Sequence, residues 1–96
     1  MSEILPAGSN ADGQTSSVVT ILEEETFMFI GDFGGSGQSP HFAMDARKTG
    51  GTTWSVVSEV IVREPGAVNI RLTDCEVRWR LVGMGATTAV SIEAGA

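Results

Sequence analysis

The chain has 96 residues, 42% of them hydrophobic and 19% charged, which fits one domain with a single modest core and excludes both wholesale disorder and a second domain. Its formal charge of −6 and its acidic front argue against a nucleic-acid binder and favour a basic protein surface as partner; Glu3, Asp12, Glu23, Glu24, Glu25 and Asp32 precede His41 with no Lys or Arg among them. A lone Cys75 excludes an internal disulfide, and the lack of a long apolar run or a basic-then-apolar leader argues against a membrane span and against export.

Residues 1–16, MSEILPAGSNADGQTS, mix Gly, Ser, Asn, Asp and Pro without a sustained period, so they are expected to form a flexible or extended arm ahead of a single β-sandwich domain over residues 17–96. Ile4 and Leu5 are the apolar part of that arm and are expected either to tuck against the body or to insert into a neighbouring subunit. Ser17 to Leu22 is rich in β-branched residues and reads as the first strand. Glu23, Glu24 and Glu25 follow as a solvated turn or strand edge, with a salt-bridging contact to a partner as the alternative.

Thr26 to Phe33 places Phe27, Phe29, Gly31 and Phe33 on one face and Met28, Ile30 and Asp32 on the other. A strand apolar on both faces is expected to be central in its sheet, or covered by the arm or another subunit. A glycine-rich loop, Gly34 to Ser39, leads to a strand over His41 to Lys48 with Phe42, Met44 and Ala46 inward and Ala43, Asp45 and Arg47 outward. Thr49-Gly50-Gly51-Thr52 closes a hairpin, and Trp54 behind it reads as a core anchor.

Val60 and Val62 are expected to face the core, as are Val68, Ile70 and Leu72 after the turn Glu64-Pro65-Gly66-Ala67. The cleanest alternation sets Val77, Trp79 and Leu81 against Glu76, Arg78 and Arg80; Gly83 to Ala86 turns the chain into a closing strand over Thr88 to Glu93. The whole reads as all-β, a small antiparallel β-sandwich or barrel of seven to eight strands at about ten-residue spacing. If the strands bearing Arg71 and Arg78/Arg80 pair, the three guanidinium groups form a basic stripe able to meet the acidic front of a neighbouring copy.

Catalytic parts are not apparent. His41 and Cys75 are far apart, Cys75 lies between Asp74 and Glu76 where negative charge raises a thiol pKa, and Asp32, Asp45 and Asp74 match no calcium loop, so no catalytic, cofactor or metal site is assigned. Gly34-Gly35-Ser36-Gly37 lacks the lysine and following helix of a phosphate cradle. Trp54, Trp79 and the phenylalanines are a sugar-stacking platform only if they escape the core.

Asp45-Ala46-Arg47-Lys48-Thr49-Gly50-Gly51-Thr52-Thr53-Trp54, with Glu64-Pro65-Gly66, Val77-Arg78-Trp79-Arg80-Leu81 and Ala89-Val90-Ser91-Ile92, resembles a recurrent type of small β-sandwich virion structural protein of tailed bacteriophages. The resemblance covers roughly Thr26 to Ile92; Thr49 stands where the pattern has Asp, and Val77 to Leu81 replaces a tyrosine-bearing strand. It implies a non-enzymatic capsid decoration or cement protein, synthesised in the bacterial host cytoplasm and located on the virion surface, with the major capsid protein as partner and self-association as a homotrimer. A tail or head-completion component and a carbohydrate-binding adhesion module are the alternatives. Ile4, Leu5, Glu23, Glu24, Glu25, Arg71, Arg78 and Arg80 are the expected interface residues; neither nucleic acid nor membrane is an expected partner.

Overall fold

Period-two alternation becomes strand wherever one face can be buried, and the computed structural model, which describes residues 1–8, 10–34, 40–83 and 87–95, follows it closely. The strands are β1 (Ser2–Leu5), β2 (Asn10–Ala11), β3 (Val19–Ile21), β4 (Glu25–Asp32), β5 (His41–Lys48), β6 (Ser55–Val62), β7 (Gly66–Ile70), β8 (Cys75–Val82) and β9 (Thr87–Ala94). They form two antiparallel sheets, one ordered β1-β9-β4-β7 with β2 also on β9, the other ordered β3-β8-β5-β6. The fold is therefore the expected all-β sandwich, with nine strands among the described residues because residues 1–16 contribute β1 and β2. Residues 35–39 of the expected loop Gly34 to Ser39 and residues 84–86 of the turn Gly83 to Ala86 lie outside the described residues.

The core lies between the sheets. Phe27, Phe29, Val90 and Ile92 project from one, and Phe42, Met44, Val77, Trp79 and Leu81 from the other, all buried. Trp79 meets Phe27 and Phe29 edge-on at centroid distances of 5.3 and 4.9 Å, and Phe42 meets Phe29 at 5.5 Å and Phe33 at 5.8 Å. Each such pair contributes about 0.5–1.5 kcal/mol beyond its burial. β4 is central as expected, paired with β9 on one side and β7 on the other. The gap in its inward row has a steric cause: Gly31 has φ +124°, and a Cβ there would run into the Ala89 carbonyl oxygen.

The segment expected to be an arm is a seam between the sheets. β1 and β2 lie in succession along β9, with Leu5 buried, and the Asn10 side-chain amide donates to the Val90 carbonyl at 2.7 Å. The chain then crosses to the other sheet. Gly13 N–H donates to Leu81 O at 2.8 Å, Leu81 N–H to Gln14 O at 2.9 Å, and Ser16 N–H to Trp79 O at 2.8 Å; Ser17 N–H donates back to Ile4 O at 2.9 Å. Polar residues suit this path because each turn of direction needs a side-chain acceptor. Asp12 Oδ1 takes the Gly83 N–H, and Ser16 Oγ takes the Trp79 N–H, both at 2.9 Å.

Candidate interaction face

β5 and β8 pair in register along their full lengths, setting Ala43 opposite Arg80, Asp45 opposite Arg78 and Arg47 opposite Glu76. These residues share the outer face, since their neighbours Phe42, Met44, Val77, Trp79 and Leu81 fill the core. Asp45 is buried there although its face is the outer one, being only 3% exposed. Two guanidinium groups cover it: Arg78 Nε donates to Oδ2 at 3.2 Å, and Arg80 donates from Nε to Oδ2 at 3.1 Å and from Nη2 to Oδ1 at 3.2 Å. Burial pushes the Asp45 carboxyl up, but the hydrogen bonds from Arg80 and Arg78, with their charges, outweigh it and hold the group below the usual carboxylate range. The same bond raises Arg80 further.

Arg47 extends this network. Its Nε donates to Glu76 Oε1 at 2.9 Å, and its guanidinium carbon lies 4.3 Å from the centre of the Trp54 ring; that of Arg78 lies 4.4 Å from the same ring. Trp54 therefore belongs to the outer face as a half-buried ring carrying two cations, and the expected core anchor is corrected. The tight turn holds it there: Gly50 takes φ +80°, Gly51 N–H donates to Lys48 O at 2.7 Å, and β6 starts only at Ser55. The ring thus hangs over the β5/β8 ladder. Val56, opposite Asp45, and Ile61, opposite Ala43, leave exposed aliphatic surface on the β6 side of the face.

The expected interface residues separate into three places. Leu5 is a core residue and Ile4 packs partly against the core, so neither is free to enter a neighbour. Glu23 and Glu24 are exposed while Glu25 opens β4 opposite Ile70; Arg71, 81% exposed, pairs with Glu24 at 3.4 Å. Arg78 and Arg80 lie on the other sheet, so the expected three-arginine stripe does not form. Residues 71–74 carry the chain from β7 in one sheet to β8 in the other, with Asp74 at φ +55° in the crossing. Arg47, Asp45 and Trp54 complete the cluster instead; Asp45 and Arg47 were legible as outward residues of a strand but not as neighbours of β8, and Trp54 was expected in the core.

No family model matches the chain, and comparison with curated proteins and with solved structures finds no match. The site is therefore read from its own chemistry. Among the described residues no group of three or more His, Cys, Asp or Glu is placed to hold a metal ion. Cys75 sits at the start of β8, where burial and the Asp74 charge push its thiol pKa up and leave it a poor nucleophile. A groove of about 390 Å³ follows the β6–β7 corner from Ile61 to Val68, lined by no Ser, Cys or His. What the arrangement offers is binding: a tryptophan and arginines, the residue types enriched at the energetic centres of protein interfaces, fixed on a rigid sheet.

Proposed function

We propose that this chain is a non-enzymatic structural protein of a phage particle, a capsid decoration protein that binds the outside of the head through the β3-β8-β5-β6 face and stabilises it. The observation that carries this reading is the network Arg80–Asp45–Arg78–Trp54–Arg47–Glu76, in which every charged group is held in place by a neighbour. A surface ordered in advance loses little entropy on docking. The resemblance of the Asp45–Trp54 hairpin and the Val77–Leu81 strand to tailed-phage virion proteins supports the location.

In this proposal the partner is the major capsid protein, and copies associate with one another as a trimer on the shell. Many copies acting together make a modest contact per chain sufficient. The engagement of Trp54 by two guanidinium groups favours protein docking over sugar stacking, because a sugar-binding ring must offer a free face.

The test is addition of purified protein to heads that lack it, followed by counting bound copies. Saturation at hundreds of copies per head, with heads more resistant to heat, is the expected result. Saturation at six or twelve copies would place the chain at the neck or tail, and no binding would refute the reading.

A further inference from the structure

The docking face also has a definite chemical preference. The β5/β8 cluster at its centre, with three arginines and two carboxylates, carries one net positive charge on a chain whose total is −6, while exposed Glu59 lies on β6 between Val56 and Ile61. The internal bonds use Nε of Arg47, Nε of Arg78, and Nε and Nη2 of Arg80; both Nη groups of Arg47 and Arg78 make no hydrogen bond to any described residue. Their side chains remain 25% and 29% exposed. The face therefore presents oriented guanidinium donors with unfilled capacity, next to exposed Val56 and Ile61.

We infer that this face binds a carboxylate-bearing, aliphatic-flanked segment of the partner protein, with the carboxylate received by the free Nη groups of Arg47 and Arg78 and the aliphatic side chains laid against Val56 and Ile61. The inference rests on the docking face of the proposed function and names what that face recognises. It reverses the simpler expectation from net charge, that an acidic chain seeks a basic surface. At physiological ionic strength charges are screened beyond about 8 Å, so the groups at the contact decide, and here those groups are guanidinium donors. Duplex nucleic acid shares the anionic chemistry but fits less well. Asp45 and Glu76 lie among the arginines, and the aliphatic border has no counterpart along a phosphate backbone.

The experiment is a nuclear magnetic resonance titration of the isotope-labelled full chain, reading the Nε–H signals of Arg47, Arg78 and Arg80 and the indole N–H of Trp54. The probes are an acetylated Val-Glu-Val-Asp-Val peptide and its Val-Gln-Val-Asn-Val counterpart. Saturable shifts with the acidic peptide are expected, at roughly tenfold tighter Kd than with the amide peptide. Arg47→Gln and Arg78→Lys, each verified as folded by its amide spectrum, are expected to weaken binding of the acidic peptide by about tenfold. Equal shifts with both peptides, no saturation, or a stronger response to a DNA duplex would overturn the inference. So would concentration-dependent shifts without peptide, which would assign the face to a second copy of this chain. These readings need no phage head, so their failure is distinguishable from failure of the decoration reading: heads that bind Arg47→Gln and Arg78→Lys as tightly as the parent chain would refute the recognition chemistry and leave decoration standing.

Discussion

Replacing Asp45 with Asn removes the charge at the centre of the outer face without changing side-chain volume, and its cost follows from the geometry. Asp45 accepts three hydrogen bonds from Arg78 and Arg80 while itself buried. Asn keeps one oxygen acceptor and turns an amide donor toward guanidinium donors. Hydrogen bonds to charged groups contribute about 1.5–3 kcal/mol each in favourable cases, but these three converge on one carboxylate and are not additive. Arg78 and Arg80 also keep about 30% of their surface in water and partly recover solvation. A net loss of about 2–3 kcal/mol is expected, which lowers Tm by roughly 10–20 °C in a domain of this size.

Thermal melts across pH test the cause as well as the size. The Asp45 pKa is lower in the folded chain than in the unfolded one, so its contribution is complete above about pH 4 and is lost as pH falls through the lowered folded value. The gap between parent and Asp45→Asn melts is therefore flat from neutral pH to about pH 4 and closes below it. A gap under about 2 °C at neutral pH, or one that does not narrow as pH falls below about 4, would contradict this assignment.

Leu5→Ala is expected to cost about 2–4 kcal/mol in urea unfolding, because Leu5 is part of the core; a loss under about 0.5 kcal/mol would restore the picture of a loose arm. Trp79→Ala is expected to cost about 3–5 kcal/mol and Trp79→Phe distinctly less, since the buried indole N–H has no hydrogen-bond partner among the described residues; equal costs by calorimetry would contradict this. Arg71→Ala is expected to leave stability within about 0.5 kcal/mol, as its 3.4 Å pairing with Glu24 is fully at the surface, and a larger change in the urea midpoint would reveal a role that the geometry does not explain.

Local alternation made the strands and most of the core readable. Val77, Trp79 and Leu81 are buried as their spacing requires, and Phe27 and Phe29 face them across the sandwich. What escaped reading was non-local. Nothing near Arg78 indicates that β8 lies against β5, so Asp45 could be recognised as an outward carboxylate but not as the anion under two arginines. Trp54 misled because a large ring usually goes inward, whereas two cations hold this one over an outer face. The first sixteen residues misled for a related reason: their polar side chains act as acceptors for backbone groups of β8 and for Gly83 where the segment crosses between sheets, and this leaves no periodic pattern. Arg71 was grouped with Arg78 and Arg80 on the premise that consecutive strands pair, and residues 71–74 change sheets instead.

The proposal that the outer face of the β3-β8-β5-β6 sheet grips a phage head is decided by a cryo-electron-microscopy map of the particle carrying the chain. The predicted result is density for many copies on the outer shell, with Trp54, Arg47 and Arg78 turned onto acidic residues of the capsid protein. Copies confined to the neck or tail, or copies on the shell with that face turned to solvent, would contradict it.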